Sequence, residues 1–535
     1  MAGLAYGVAA LCALPMLAVL LAAMMGGTGT VVQLAGSVLP RYTVTTLILT
    51  GSVACGTFAV GTGAAWLVSA HEFPGRRWLE IALVLPLAYP AYVLAYAYTD
   101  LLDFPGVVQS TLRAVTGWGA RDYWFPEIRS TGGAAAMLTL VLYPYVYLLA
   151  RAAFVQQSGT TFLAARTLGK PPWRAFLTVS LPMARPAIAA GVLLTVMETI
   201  ADYGTVSYFG VQTFATGIYT SWFTLADRAA AAQLALCLLA TALVLALLER
   251  ISRDGARFDS GTRRHQPLPR QRLVGWRGWM AALFCAVPVL FGALVPALAL
   301  GLMAQHAGQD ILGPRYRQFI GNSVTLAGIA AVVTVVGAVI VSYFARSRPG
   351  RAATGALQLA RLGYAVPGGV IAVGLLVPFA RFDNLLNAWM QDRFGITTGL
   401  LFTGSISVLV MAYMVRFMAA AIGAYDSGQA GIHRNIDAAA RSLGASAYGT
   451  LRRVHLPILT PSLLTALLIV FVDTMKELPA TLIMRPFNFD TLAVQAHRLA
   501  SDERLDGAAV PSLIIVAVGL LPVLIICRSV GRTRR

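Results

Sequence analysis

Two pairs of carboxylates lie inside long apolar segments of this 535-residue sequence. Glu198 and Asp202 are four residues apart, and Asp473 and Glu477 repeat that spacing 275 positions later. A spacing of four predicts that both carboxylates of a pair share one face of a helix. A charge near the centre of a bilayer costs ~2.5–3.5 kcal/mol, so such side chains usually face a cavity or the interior of a bundle. We therefore predict that the two pairs line a polar path through an apolar protein.

The neighbours of these carboxylates indicate what the path would accept. Tyr203 and Tyr208 follow the first pair. Carboxylate and phenol oxygens suit a hard trivalent cation, and they suit organic cations equally well. A structural role stays open, because Lys476 lies three residues from Asp473 and Arg416 could neutralise another acid. No metal ligand set is assigned, and the residues predicted to lie on the path are Glu198, Asp202, Tyr203, Asp473, Lys476 and Glu477.

The composition identifies the elements that must hold these residues. Of all residues, 57% are apolar and 12% are charged, with a mean hydropathy of +0.70, whereas soluble proteins are about 25% charged. These values exclude a soluble globule, a disordered chain and a disulfide scaffold. Twelve apolar runs are long enough to cross a ~30 Å hydrocarbon core as helices, which predicts an all-α integral membrane protein. The predicted spans are 4–26, 44–70, 79–101, 132–154, 187–210, 229–249, 277–304, 322–344, 362–381, 400–423, 461–484 and 508–527.

The basic residues predict the orientation of these spans. If the N-terminus is cytoplasmic, the inner loops hold 27 of the 41 Lys and Arg residues and the outer loops hold 12, which leaves Arg416 and Lys476 within spans. Cytoplasmic loops of membrane proteins carry such an excess. We therefore predict cytoplasmic N- and C-termini, and the net charge of +18 indicates topology and not a nucleic-acid partner.

An internal repeat divides the sequence into two halves. Residues 163–169 (LAARTLG) recur as 438–444 (AAARSLG), and later prolines, carboxylates and aromatic residues recur at the same offset of 275. We predict a first six-helix half at 1–250, a cytoplasmic basic linker at 251–276, and a second six-helix half at 277–535. Because each half has an even number of helices, the two repeats are parallel and related by an axis along the membrane normal.

Each half carries the same loop on the side assigned to the cytoplasm. We call 155–185 the first knob and 430–460 the second knob. Each has a short helix with small residues, then a glycine suited to the left-handed position, then a second helix predicted to stop at Leu-Pro before the next span. A simple connector explains one such loop, but not two with equal spacing throughout. The landmarks are Ala164, Ala165, Arg166, Gly169, Leu181, Pro182 and Pro186 in the first knob, and Ala439, Ala440, Arg441, Gly444, Leu456, Pro457 and Pro461 in the second.

The two knobs resemble the coupling loop of ABC importer permeases, whose motif is Glu-Ala-Ala, three residues, Gly, and downstream Leu-Pro and Pro. The resemblance covers essentially the whole chain. It implies a type I permease fold, two copies of a cytoplasmic ABC ATPase docked on the knobs, and a periplasmic binding protein docked on the outer loops 102–131 and 485–507. The leading Glu of the motif is Leu163 in the first knob and Ala438 in the second. An ion pair made by that Glu must therefore be weaker here or come from Asp437.

Three further segments resemble ferric-iron importer permeases, which are fused two-half chains of about this length. They are 201–214, 473–481 and 485–492. The resemblance implies ferric iron as the cargo, although permeases for thiamine, polyamines and aminophosphonates share the layout. It also implies a bacterial inner-membrane location, alternating access, and no cofactor in this chain, because ATP is bound by the partner ATPase.

A membrane-bound enzyme and an ion-coupled secondary transporter are the competing classes. The sequence has no Gly-x-x-x-x-Gly-Lys-[Ser/Thr], HExxH or GxSxG pattern, so we do not expect it to hydrolyse ATP or to be a catalytic subunit. A secondary transporter needs ionisable residues within the membrane, but it has no need of two matched knobs.

Overall fold

The structure, a computed structural model, describes residues 2–119, 121–157, 159–254, 270–308 and 313–532. Helices dominate it because a segment in hydrocarbon must satisfy its own backbone N–H and C=O groups. Among the described residues, eleven helices are long and apolar enough to cross a membrane, and one strongly bent pair brings the total to twelve if counted as one span. The predicted all-α membrane fold is therefore confirmed.

The described chain up to residue 254 contains thirteen α-helices and three short turns of other helix types. A 3₁₀ turn lies at Leu85–Ala88, and π-helical turns lie at Phe176–Ser180 and Thr220–Thr224. The α-helices are α1 (Ala2–Met25), α2 (Gly27–Gly36), α3 (Leu39–Ala70), α4 (Arg76–Ala82), α5 (Ala91–Leu102), α6 (Val107–Thr116), α7 (Thr131–Gln156), α8 (Gly159–Thr167), α9 (Pro172–Ala175), α10 (Leu181–Ala201), α11 (Gly204–Tyr208), α12 (Phe214–Tyr219) and α13 (Arg228–Asp254).

The described chain from residue 270 onward contains twelve more α-helices. Two π-helical turns lie at Leu290–Leu294 and Leu451–His455, and a 3₁₀ turn lies at Gly363–Ala365. The α-helices are α14 (Trp276–Val289), α15 (Val295–Ala307), α16 (Pro314–Ser347), α17 (Arg351–Leu362), α18 (Gly368–Phe394), α19 (Ser407–Gln429), α20 (Arg434–Ser442), α21 (Ala447–Thr450), α22 (Leu456–Met475), α23 (Pro479–Met484), α24 (Leu492–Ser501) and α25 (Leu505–Arg532).

The predicted span 79–101 is sharply bent and is not one straight helix. The segments on either side of Tyr89 and Pro90 meet at an angle of 95°. A residue before proline is pushed out of the α region by the proline ring, and Tyr89 is accordingly extended at ψ 130°. Val366, which precedes Pro367, is extended in the same way at ψ 118°, and it separates α17 from α18.

Packing groups the chain into two compact units, and each unit takes helices from both sequence halves. One unit comprises Met1–Leu39, Phe214–Ala240 and Asp310–Ala496. The other comprises Pro40–Thr213, Thr241–Gln309 and His497–Arg535. In the first of these, α1 packs against α16, α17 and α18. The division of the sequence at 1–250, 251–276 and 277–535 describes the repeat and stays a prediction.

Most of the predicted linker lies outside the described residues, but both of its ends are visible. Helix α13 continues to Asp254, so the chain is helical for the first residues of the linker. At the other end, strand β2 (Gln271–Arg272) pairs in parallel with strand β1 (His71–Glu72). Arg270 Nη1 also lies 3.1 Å from Glu72 Oε1. These contacts hold the end of the linker beside the loop that follows α3.

Candidate functional site

The first knob turns at a glycine in the left-handed conformation, as the sequence predicts. Helix α8 ends just before Gly169, which has φ +82°. The N–H of Lys170 donates to Ala165 O at 3.1 Å, the long-range bond of a glycine-terminated helix. Arg166 Nη1 adds a 2.7 Å bond to Lys170 O. These bonds fix the angle at which α9 leaves the turn.

The second knob repeats this geometry at the same offset. Gly444 has φ +78° after α20, and the N–H of Ala445 donates to Ala440 O at 3.0 Å. Ala165 and Ala440 are buried, whereas Ala164 and Ala439 are exposed. The side chain of Arg441 lies outside the described part of the structure. The two knobs therefore share one backbone design down to individual hydrogen bonds.

The predicted stop of the second short helix at Leu-Pro is wrong in both knobs. The chain stays helical through a π-helical turn, in which the N–H of Leu181 donates to Phe176 O and that of Leu456 donates to Leu451 O. Proline has no N–H, and its ring would collide with the carbonyl four residues earlier in a regular α-helix. The wider turn therefore accommodates Pro182 and Pro457 without a break. Pro186 and Pro461 lie within α10 and α22.

Each knob exposes large apolar side chains among its polar ones, and this feature was missed from the sequence. Leu168 is 82% exposed and Leu443 is 87% exposed. Beyond each glycine follows an exposed aromatic residue, Trp173 at 59% and Tyr448 at 60%. The two leucines are 275 positions apart in the sequence, and so are the two aromatic residues. This repeat is the signal by which the sequence could have revealed them. Each knob thus presents one leucine and one aromatic ring to its surroundings.

The two knobs are attached to their own units by different chemistry. In the first, Phe162, Ala165 and Ala175 form a buried cluster with Trp66, whose ring centroid lies 4.5 Å from that of Phe176. A cavity of about 350 Å³ remains beside this aromatic cluster. The first knob is therefore held by apolar packing.

The second knob is held by an ion-pair cluster instead. Asp437 Oδ1 lies 2.5 Å from Nε2 of the fully buried His455, and Asp437 Oδ2 accepts from Arg346 Nε at 2.9 Å. Arg346 Nη2 also donates to Ile432 O at 2.8 Å. Burial raises the pKa of Asp437, but the bonds from His455 and Arg346 outweigh burial and hold the pKa below its usual value. Asp437 is already engaged within the chain, and its contact with a partner in place of the missing Glu stays a prediction.

The acidic pairs do not lie on one helical face, which corrects the sequence prediction. Helix α10 ends at Ala201, and Asp202 is extended at ψ 130°. The Asp202 carboxylate then accepts from the N–H groups of Thr205 and Val206 at 3.1 and 3.2 Å. An aspartate that satisfies the free N–H groups at the start of the next helix favours a break in the chain over continued helix.

Glu477 does the same in the second repeat. Helix α22 ends at Met475, and the Glu477 carboxylate accepts from the N–H groups of Ala480 and Thr481 at 2.8 and 3.1 Å. These donors are the offset-275 counterparts of Thr205 and Val206. The break and the carboxylate that caps it are therefore parts of the repeat.

Both basic residues near the second break lie beside carboxylates, as expected if these charges have a structural role. Lys476 Nζ lies 2.9 Å from Asp473 Oδ1, and Arg416 Nη1 lies 3.9 Å from Glu477 Oε1. Asp473, Lys476 and Glu477 belong to one unit, and Glu198, Asp202 and Tyr203 belong to the other. Within each unit, the structure places its residues at the end of the helix that rises from that unit's knob. A shared path lined by both sets stays a prediction.

These features define a class of protein: a polytopic helical membrane protein with two matched knobs, each continuous with a long helix, and with a carboxylate beyond each helix that caps the helix that follows. Residues 8–257 match the family model described as "Binding-protein-dependent transport system inner membrane component". The matched segment is somewhat less than half of the chain and contains the first knob, and the resemblance of the chain to ABC importer permeases is confirmed.

Two relatives named as transport permeases align with nearly the whole chain, and a third aligns with about a third of it. The Fe(3+)-transport system permease protein FbpB 2 of Haemophilus influenzae is 25% identical over 90% of this chain and 88% of the relative. The probable ABC transporter permease protein y4fN of Sinorhizobium fredii is 26% identical over 91% of this chain and 87% of the relative. The molybdenum transport system permease protein ModB of Escherichia coli is 29% identical, over 36% of this chain but 85% of the relative. Most of the ModB sequence thus corresponds to about a third of this chain.

Proposed function

We propose that this permease carries ferric iron into the cytoplasm, after delivery by a periplasmic binding protein and with ATP hydrolysed by two copies of a separate ATPase. The observation that carries the proposal is the matched pair of knobs. Two loops with the same glycine turn, the same π-helical turn and an exposed leucine and aromatic residue at matching positions offer two similar surfaces to two copies of one partner.

The exposed side chains of the knobs suit a protein partner. Fully burying a leucine or an aromatic side chain contributes about 1.5–3 kcal/mol, and Leu168 and Leu443 are more than four-fifths exposed. Both knobs lie in the loops that the positive-inside rule assigns to the cytoplasm. An ATPase that covers Leu168 with Trp173, and Leu443 with Tyr448, would gain this burial at each site.

Each knob is built so that its movement reaches a carboxylate. Helical structure is continuous over Pro172–Ala201 in one repeat and over Ala447–Met475 in the other. Asp202 and Glu477 lie at or just beyond the far ends of these helices. At a rise of ~1.5 Å per residue, each helix carries a displacement of its knob over roughly 45 Å. ATP-driven movement of the knobs would therefore reposition the breaks, which is the motion that alternating access requires.

Ferric iron is the cargo favoured by the relatives and by the site chemistry. A permease named for Fe(3+) transport aligns with nearly the full length of this chain, and carboxylate and phenol oxygens suit a hard trivalent cation. The ModB match names a molybdenum transporter, but carboxylates at both breaks would repel molybdenum carried as an anion. Permeation of thiamine, polyamines or aminophosphonates is the alternative within the same class.

Uptake into proteoliposomes tests the cargo. We would reconstitute the chain with its ATPase and binding protein and compare ATP-dependent uptake of Fe³⁺, thiamine, a polyamine and molybdate. The proposal expects uptake of Fe³⁺ alone. ATP-dependent uptake of another solute without iron would contradict the cargo, and uptake driven by an ion gradient without ATP would contradict the class.

Variants of the knobs test the ATPase contact. Replacing Leu168 and Leu443 together with Glu should abolish co-purification of the ATPase, because two charges would be buried at the contacts. Phe487, which is fully exposed and lies in a predicted outer loop, provides a matched control: Phe487→Glu should leave co-purification unchanged. Retention of the ATPase by the double variant would contradict docking on the knobs.

A further inference from the structure

Three tyrosines and a histidine gather beside Asp202 within one unit, and sequence reasoning assigned no role to two of them. The ring centroids of Tyr96 and Tyr208 are 4.8 Å apart, and those of Tyr203 and His497 are 5.8 Å apart. A 2.9 Å hydrogen bond joins Tyr96 Oη and His497 Nδ1. Helices α5, α11 and α24 and the break after α10 each contribute one residue. The tertiary structure thus collects oxygen and nitrogen ligands from four separate places in the chain.

Tyr208 has a nearly buried hydroxyl group with little hydrogen bonding. The residue is 9% exposed, and Tyr208 Oη makes no hydrogen bond of good geometry in the described structure. The Thr99 hydroxyl lies within reach of Tyr208 Oη, but it donates to Ala95 O at 2.8 Å. Lone pairs of Tyr208 Oη are therefore open to a ligand.

The repeat shows that packing alone does not require these phenols. The offset-275 counterparts of Tyr203 and Tyr208 are Leu478 and Ile483, which are both buried. The capping carboxylate is kept at the counterpart position as Glu477. The same local fold is therefore made with aliphatic residues in one repeat, and only the other repeat adds phenol oxygens.

The charges around the cluster are compatible with a cation. Arg129 lies over the Tyr208 ring at 5.3 Å, but it is paired with Glu503 at 2.7 Å and with Asp103 at 3.2 Å. These three side chains sum to one negative charge, and Asp202 adds a second. Asp202 accepts from three protein donors, and a carboxylate has about four lone-pair sites. It therefore retains capacity for a metal ion.

We propose that Tyr96, Tyr203, Tyr208 and His497 form, with Asp202, a transient site for a hard trivalent cation on the transport path. This inference rests on the proposed function and specifies where the permease holds its cargo. Binding forms a metal–oxygen bond and breaks the O–H bond of each coordinating phenol. The proton of each phenol leaves to solvent, and no change of oxidation state is needed. Hard cations prefer such anionic oxygen ligands.

Optical spectroscopy of the purified complex tests the site. Phenolate bound to Fe³⁺ has a charge-transfer absorption in the visible range, whereas carboxylate or water ligands alone do not. We would titrate the whole transporter, in detergent and without the binding protein, with ferric nitrilotriacetate. The proposal expects a visible band that saturates at one Fe³⁺ per chain. Absence of the band would overturn the proposal.

Variants of single hydroxyl groups locate the site. Tyr208→Phe removes a hydroxyl that has at most a weak bond to Thr99, so folding should be kept. The Tyr203→Phe and Tyr208→Phe double variant should lose the band and at least tenfold of the Fe³⁺ uptake rate. Tyr98→Phe is the matched control, because Tyr98 lies on the same helix as Tyr96 but donates to Phe291 O at 2.6 Å. Equal bands in the double variant and the control would overturn the proposal.

The uptake assay separates failure of this site from failure of the proposed function. Normal Fe³⁺ uptake by the double variant would leave the cargo in place and refute the phenol site. If the unmodified complex transported a different solute and took up no iron, both the phenol site and the proposed cargo would be refuted.

Discussion

Removing the carboxylate of Asp437 should loosen the second knob without unfolding the protein. Asp437 accepts two bonds from Arg346, at 2.8 and 2.9 Å, and lies 2.5 Å from His455. Breaking a fully buried ion pair costs 3–5 kcal/mol. The Asp437 side chain is 21% exposed and that of Arg346 is 14% exposed, so water offsets part of the loss. We therefore expect Asp437→Ala to cost about 3 kcal/mol, at the low end of that range.

Hydrogen exchange of the backbone amides in α20 and α21 measures this cost directly. A factor of ten corresponds to ~1.4 kcal/mol, so ~3 kcal/mol predicts about hundredfold faster exchange by local opening. Alanine is the best helix former, so the change does not weaken α20 itself. Asn435→Ala, at an exposed position on the same helix, is the matched control and should change exchange by less than about twofold. Exchange in Asp437→Ala within threefold of the unmodified protein would refute the reasoning.

The pH dependence provides an independent check of the same ion pair. The pKa of folded Asp437 is below its ordinary value, which is ~3.9 in an unfolded chain. The contribution of a carboxylate with a lowered pKa is fully present above the ordinary pKa and is lost as the pH falls through the lower folded value. The ratio of exchange rates between Asp437→Ala and unmodified protein should therefore stay constant from pH 7 to pH 5. A ratio that approaches one within this interval would show that another group controls the knob.

Three further changes have defined outcomes. Gly169→Val and Gly444→Val each place a β-branched residue at positive φ at a cost of ~1 kcal/mol or more. Transport and stimulated ATPase activity should fall in each single variant and fall further in the double variant. Membrane insertion, measured by fractionation, should persist in all three. Glu477→Gln should lower the thermal midpoint in detergent more than Asp202→Asn, because Glu477 lies beside Arg416, whose side chain is only 16% exposed. The double variant should lose most Fe³⁺ uptake. Equal midpoints with full uptake would contradict both the structural and the transport role of these carboxylates. The orientation can be tested in a chain whose native cysteines are replaced. A cysteine at Val115, which is 81% exposed, should react with an impermeant reagent added from the periplasm, and a cysteine at Arg264 should not. The reverse pattern would overturn the predicted orientation.

The sequence by itself determined the class of protein and the positions of its two knobs. Apolar runs of spanning length follow directly from the cost of exposing polar backbone to lipid, so they can be counted without a structure. The knobs could be located because their landmarks recur at one offset, and the glycine at each turn is required by local backbone geometry at positive φ. Such properties depend on residues near one another in the chain.

Only the tertiary structure decided where helices break and which side chains meet. The segment over 79–101 has a helical pattern, but the proline at position 90 and its surroundings bend it by 95°. Asp202 and Glu477 have the spacing of a helical face, yet each gains more by capping the helix that follows. Asp437 gave no sign of its buried partner His455, which is 18 residues away, and Tyr96 lies 401 residues from His497. Contacts at such separations result from the packing of whole helices, and no local pattern in the sequence encodes them.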